Sequence, residues 1–469
     1  MTTYILGAGP TGLAVADGLI DVSAGDFVVL EQGAKLGGQA RTVRWEGVGH
    51  HDLGPHKIFS LNKHLTHRVE ALLPGSDWLT RDKVSSIFMR GHYLPYPPSP
   101  FSLAGVFGLA AFLKMVAGYG FARMGSLFSS RKSATFAEDL VTRLGRPLYE
   151  ILFKPIAEKL WGEPKSLDVK LSRGRVQTPS LLELLGRLLK IKKNSEFEAL
   201  TFRYPKGGLG RLWEAIQTKA QGRGRFLLEH TVTGLGVEAN RVRQIRFSSK
   251  EINGVIDLAP EDQVVSTLPL AQTAQFLSQV LPPHFPKLVE NVIVLNDLLL
   301  VFLHIDKPSL LRESWLFIPD PEIAFHRLSE QESFDPAMTP NGSIVCCEMM
   351  SSACRPLAGK TDEELSALAL EGLAAMGYGD FKVLGKRVLR LPKSYPVFRT
   401  GFEVGLSELI NALDQFKNFH SIGRQGAFNY IGTLDAMDIG YGFADWLANG
   451  RSRPWQDERK RTNHYPVLD

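Results

Sequence analysis

Cysteine is scarce: the 469 residues hold three, Cys346, Cys347 and Cys354. They form no C-x-x-C and have no metal-type spacing to histidine, so neither a disulfide framework nor a metal site is expected, and the thiols read as reduced. An excess of one charge is also lacking. Lys and Arg number 54 against 49 Asp and Glu, and the net +5 is too small for this length to imply a nucleic-acid partner. No nucleic-acid motif, internal repeat or low-complexity tract is present. Long apolar runs are absent with one exception, FSLAGVFGLAAFLKMVAGYGF at 101–121, whose single charge is Lys114. It is long enough to span a bilayer. Four glycines, the central lysine and the lack of a second span favour a pair of buried helices or an apolar helix lining a substrate channel. A membrane-surface contact is the less favoured reading. The N-terminus enters a strand at once and leaves no room for a signal peptide, so a cytoplasmic place is expected, with or without contact to the inner face of a membrane.

What is present is ordinary in bulk, 44% hydrophobic and 22% charged, in a chain long enough for two or three domains. The informative part is local. Residues 3–6 are β-branched or apolar and predict a buried strand; Gly7-Ala8-Gly9-Pro10-Thr11-Gly12 follows, then an apolar run of helical density, then a second strand, Phe27-Val28-Val29-Leu30, ended by Glu31. Gly7 permits the turn from strand to helix, Gly9 lets backbone approach a pyrophosphate, and Gly12 lets the helix lie close on the strand. The helix N-terminus offers unpaired N–H groups to phosphate. Glu31, 19 positions after Gly12, suits a carboxylate that takes ribose hydroxyls and repels a 2′-phosphate. A G-x-G-x-x-G alone is weak evidence. Framed by strand, helix, strand and acid, it reads as a dinucleotide cradle rather than a tight turn without a ligand. A second glycine pair, Gly37-Gly38-Gln39-Ala40-Arg41-Thr42, offers another close approach, and Arg41 can add charge-assisted hydrogen bonds.

The GGQART run resembles a segment of the FAD-dependent family that includes amine oxidases, protoporphyrinogen oxidases and UDP-galactopyranose mutases. The resemblance covers about 1–450 in order. It implies an α/β fold: a discontinuous Rossmann-like FAD domain (1–60, 196–270 and 395–450), a helical insertion (61–195), an antiparallel-sheet substrate domain (271–394) and a charged tail (451–469), expected to be mobile. It implies FAD held by Gly7, Gly9, Pro10, Thr11, Gly12, Glu31, Gln32, Gly37, Gly38, Gln39, Arg41 and Thr42, with Val232 backbone at the adenine end.

Further segments are similar to the mutases in particular. DLGPHKIFS would place Gly54, Pro55 and His56 against the isoalloxazine, although a histidine satisfied in a turn is the alternative for His56. GRPLYEILFKPIAEKLWG looks like a mutase helix, with Pro155 in place of an aromatic residue. FHRLSEQESFDP would put Arg327 near flavin and substrate; on the residues alone, a surface salt bridge to Glu330 or Glu332 is equally open. In GRQGAFNY, Gly423 and Arg424 would face the pyrophosphate and Tyr430 the substrate. Asp435, Ala436 and Met437 open a last helix whose N–H groups would stabilise negative charge on the flavin.

Two departures count against a nucleotide sugar as substrate. Pro179 stands where the mutases carry a further arginine, leaving Arg173 or Arg175 to compensate, and YIGTLDAM has extra residues. No lysine of the amine-oxidase kind can be placed. The expected activity is therefore an FAD-dependent oxidoreductase moving a hydride from a small organic substrate (an amine, alcohol or sugar-like ring) to flavin N5. His56 would tune the flavin, and Arg327 and Tyr430 would bind substrate. The alternative is a mutase-like, non-redox isomerase of a nucleotide sugar that uses reduced FAD. A flavoprotein without turnover, serving as a scaffold near a membrane, is a third reading.

Overall fold

The computed structural model describes residues 1–128, 133–175, 201–462 and 465. The helix expected at SLLELLGRLLKI, the KIKK run and Pro179 lie outside them, as does the side chain of Arg175.

The protein is a mixed α/β molecule built on two principal sheets. The first is all parallel, in the order Phe419–Ser421, Gln263–Ser266, Thr2–Leu6, Asp26–Leu30, Gly224–Leu227. Its strands are near-continuous apolar runs because both faces are covered, one by helices and the other largely by the antiparallel strands Thr231–Glu238 and Arg241–Ser248. Ile5, Leu6, Val29, Val264 and Val265 are fully buried. Neighbours in the sheet diverge on either side of Thr2–Leu6, to Asp26–Leu30 and to Gln263–Ser266. The crevice beyond Leu6 is thus a topological switch point, where such sheets bind ligands.

Helix Pro10–Asp21 starts at this point, with proline in its first turn, where a missing N–H costs nothing. Helix Thr433–Ala448 lies tightly along it. A Cβ on Gly440 would sit 2.3 Å from the Thr11 carbonyl oxygen, and one on Gly18 would sit 2.6 Å from Ala444 Cβ. The C-terminal helix therefore clamps the cradle helix in place.

The second sheet is long and antiparallel apart from one pairing, Trp315–Phe317 with Ser85–Met89. Its long strand Leu295–Ile305 lies between Ser343–Ser351 and the edge strand Val383–Pro396. Strand alternation sorts its side chains. Leu299, Val301 and Leu303 face helix Asp362–Ala375, packing with Leu365, Ala369 and Leu373. Leu298, Leu300 and Phe302 face the other way, onto Leu53 and the hairpin of Thr42–Trp45 and Gly49–Asp52.

Several local expectations are revised. The 61–195 stretch is not helical throughout: Trp78–Asp82, Ser85–Met89 and His92–Pro95 are strands. The last two form a hairpin about Arg90-Gly91, both at positive φ, as a two-residue turn requires. The long helix expected across 133–162 breaks at Gly145 (φ 81°) and continues as short pieces around a π turn, Tyr149–Phe153. The 101–121 run does form two helices, Pro100–Phe107 and Leu109–Phe128, parted at Gly108, but much of their apolar surface is exposed rather than buried. No helix among the described residues is long and apolar enough to cross a membrane. The tail is docked rather than loose as far as Thr462. Helix Trp455–Thr462 buries Trp455 against His420, Phe443 and Trp446, and Glu458 pairs with Arg453 and Arg461.

If the Thr433–Ala448 clamp is as close as described, Gly440→Ala should lower unfolding stability by about 1–3 kcal/mol through overpacking. An unchanged urea midpoint would mean that the two helices do not meet there.

Candidate functional site

The cradle forms where three glycine-bearing segments converge on the N-terminus of Pro10–Asp21. Gly7 takes φ +98°, and a Cβ there would strike Thr267 Oγ1 at 2.6 Å; one on Gly12 would lie 2.1 Å from the Gly7 carbonyl oxygen. Gly38, at φ +54°, brings its backbone onto Gly9, and Gly37 N–H donates to the Ala8 carbonyl at 2.8 Å. Gly423, at φ +88°, lies against Thr11. Gly9 is different: a Cβ there would meet nothing within 4 Å. The other five serve chain packing, whereas Gly9 leaves open space beside the helix N-terminus. A phosphate needs that arrangement.

Glu31 closes one end. Its carboxylate accepts from Ala8 N–H and Gly33 N–H, each at 2.8 Å, so it stands at the mouth of the cradle. His230 N–H donates to the Glu31 carbonyl, which brings strand Thr231–Glu238, and with it Val232, to the same end. Arg41 turns inward and donates to the Gly38 carbonyl at 2.7 Å; Gln39 donates to Ser394 Oγ at 3.0 Å and ties the glycine loop to the second sheet. Thr42 has a structural part, accepting from Gly210 N–H and donating to Asp52. Gln32 is exposed. The residues present fit a dinucleotide: a helix N-terminus, open space beside Gly9 and a carboxylate at the end of the second strand.

The second cluster lies between the sheets. Arg327 and Glu348 are directly opposite on neighbouring strands and share a face. Glu348 is fully buried and takes the guanidinium bidentately, at 2.5 Å from Nε and 2.8 Å from Nη2. The partner is therefore neither Glu330 nor Glu332. Glu330 accepts from Ser309, Ser343 and two backbone N–H groups, and Glu332 from Ile344 N–H.

Gly54, at φ +101°, passes this pair so closely that a Cβ would lie 3.2 Å from Glu348 Oε1. The Gly54-Pro55-His56 loop thus runs past the ion pair. Burial drives His56 down to about 4, and the nearby Arg327 and Arg424 charges push the same way. The ring is neutral at pH 7. Arg424 lies 5.0 Å over the Tyr430 ring and 5.4 Å over Tyr395, with one N–H donated to the Ile431 carbonyl. Trp161 and Phe398 set their rings at 6.3 and 6.5 Å from that of Tyr430, edge to face.

Beneath the loop is a buried network that the sequence did not reveal. Asp52 accepts from Thr42 at 2.5 Å and Tyr204 at 2.6 Å, while Gln331 accepts from Asp52 N–H and donates to Tyr204. Burial raises the Asp52 carboxyl to about 6 against the pull of those bonds. The network joins the loop to strand Thr201–Pro205 and to the end of strand Arg327–Glu330 in the second sheet. Glu348 and Tyr395 carry no motif of their own; only strand register brings them here. Asp435 sits in the first turn of Thr433–Ala448, accepts from Gly432 N–H at 3.3 Å, and is raised to about 6 by burial. Ala436 and Met437 are buried behind it. Arg173 is exposed and pairs with Asp139 at 3.6 Å.

The glycines should separate cleanly on mutation. Gly9→Ala has room for its methyl and should change stability of the cofactor-free chain by less than about 0.5 kcal/mol, while dinucleotide affinity falls. Gly12→Ala should fail to fold or lose stability heavily. Equal stability losses in the two variants, measured by urea unfolding, would contradict the assignment.

Residues 10–402 match the family described as flavin containing amine oxidoreductase. The fold is similar to that of a reduced UDP-galactopyranose mutase, at 20% identity and TM-score 0.83 over 99% of this chain and 98% of that one. It is also similar to a putative protoporphyrinogen oxidase from Exiguobacterium sp. 255-15, at 18% identity and TM-score 0.71 over 96% and 99%. A double mutant of putrescine oxidase aligns at 13% identity and TM-score 0.62 over 96% and 100%. These identities speak to fold alone. The family match spans most of the chain, and with the cradle it supports the conclusion that this protein belongs to the flavin-containing amine oxidoreductases.

Proposed function

We propose that the protein is an FAD-dependent oxidoreductase that takes a hydride from a small organic substrate, an amine, alcohol or sugar-like ring. The observation that carries this reading is the Arg327–Glu348 pair. An arginine whose Nε and Nη2 are held by a buried carboxylate is fixed in place and largely neutralised, which weakens it as a clamp for a diphosphate dianion. The surroundings of Tyr430 support the same choice. Trp161, Tyr395 and Phe398 present ring edges and faces around it, and such a lining suits a compact molecule of low charge.

In this reading Gly9, Gly37, Gly38, Gly423 and Arg424 hold the FAD pyrophosphate, Glu31 the ribose, and Val232 backbone the adenine. A bound flavin supplies the hydride-accepting chemistry, which no side chain has. The chain's own residues do the rest. The aromatic lining excludes water and orients substrate. His56, kept neutral, sits beside the reacting region without adding a cation. The N–H groups at the start of Thr433–Ala448 favour negative charge there. Tyr430 and Arg327 contact or border the substrate.

A mutase-like isomerase of a nucleotide sugar is the second reading, favoured by the end-to-end likeness to the mutase fold. The two separate in one experiment. Anaerobic addition of small amines and alcohols to the flavin-loaded protein should bleach the oxidised flavin band, and dithionite-reduced protein should leave UDP-galactopyranose unchanged. Isomerisation confined to the reduced state, without bleaching by any small substrate, would select the mutase reading.

Arg327→Ala supplies a second test. It strands a buried carboxylate and should cost roughly 3–5 kcal/mol of stability. A variant of unchanged stability whose only defect is a raised KM would restore Arg327 as a free substrate clamp.

A further inference from the structure

We propose that the helix pair Pro100–Phe107 and Leu109–Phe128 seats the protein on an anionic lipid surface. The pair is apolar on both sides. Its inner side is packed: Met115 and Tyr119 are buried, and Gly118 lies against Pro147. Its outer side carries Phe101 (79% exposed), Leu109 (68%), Leu113 (56%), Val116 (51%), Phe121 (71%) and Met124 (55%). Leu109, Leu113, Val116 and Met124 follow one another at steps of four, three and eight, which keeps them on one side of the helix. A helix apolar all round is ordinarily enclosed. A contiguous exposed apolar face marks a contact surface.

Charge identifies what fits against it. From 83 to 137 the chain has no aspartate or glutamate, but holds Lys83, Arg90, Lys114, Arg123, Arg131 and Lys132. Elsewhere the two signs are nearly balanced, so the acid-free stretch coincides with the apolar face. Arg90 and Lys114 are exposed on the same segment. Apolar side chains entering the acyl boundary, with lysine and arginine at headgroup level, are how a surface-bound helix engages anionic lipid. A second copy of the chain fits less well. A two-fold contact would set this face against itself, bringing like charges together with no acid on the segment to offset them. The helices are docked by their inner side and do not span, so the contact is with one leaflet.

The test is co-sedimentation of the full chain with vesicles of phosphatidylcholine alone and with about one-third phosphatidylglycerol, at about 0.1 M salt and above. The protein should pellet with the anionic vesicles and be released as salt rises. Leu113→Asp combined with Phe121→Asp should lower binding about tenfold or more, with circular dichroism and melting unchanged. Should that variant misfold, Lys114→Glu, which alters only an exposed charge, should still weaken binding to the anionic vesicles by about tenfold. Wild-type protein left in the supernatant with anionic vesicles, or folded variants that bind as well as wild type, would overturn the proposal. So would a dimer in sedimentation velocity that the double variant converts to monomer, since the occupant would then be a second copy.

Discussion

The nucleotide end of the molecule depends on backbone meeting backbone at distances no side chain allows. Gly12 on the Gly7 carbonyl, Gly38 on Gly9, Gly423 on Thr11 and Gly440 on Thr11 and Ala14 are all contacts that a single added carbon would break. Together they press two loops and a second helix onto the start of Pro10–Asp21, leaving room only beside Gly9. Four close-packed glycines therefore define the shape of a site that the fifth leaves open. Glu31 then adds a carboxylate at the cradle's mouth, and its hydrogen bonds to Ala8 and Gly33 hold the strand end in register with the glycine turn.

Facing this crevice, the second sheet supplies polarity under tight control. Taking Glu348 out of water carries a large desolvation penalty, which the bidentate Arg327 and close geometry offset. Such a pair adds little net stability against an apolar replacement, yet losing one member is costly. Its consequence is positional: it leaves Gly54 just enough space to pass and sets a cation beside His56, which together with burial keeps that ring neutral. The Asp52–Tyr204–Gln331 network works in the same way from below, anchoring the loop to strand Thr201–Pro205 and to the second sheet.

The cradle was legible because its signals are local. Glycine spacing, the framing strands and the position of Glu31 all fall within the first 31 residues, and each has a backbone reason. Arg327 is marked by its motif, but the carboxylates close to it in sequence, Glu330 and Glu332, are not its partner. Glu348 lies across a strand pairing, and no short-range pattern announces a register. The strands Ser85–Met89 and His92–Pro95 sit within a largely helical insertion, marked locally only by the Arg90-Gly91 turn between two short apolar runs. The tail was read as loose from its charge, because Trp455 shows its worth only when His420, Phe443 and Trp446 are gathered around it.

By itself, then, the sequence determined that a glycine-rich cradle exists at the first strand-to-helix turn, where it begins, and which family's pattern the rest of the chain follows, since turn and helix-start chemistry depend on adjacent residues. Tertiary structure alone decided which charge neutralises Arg327, what surrounds His56 and Tyr430, and that the apolar face of 101–121 points outward. Those facts depend on strand register and on which side of a helix is left uncovered, and both are settled by residues far apart in the chain.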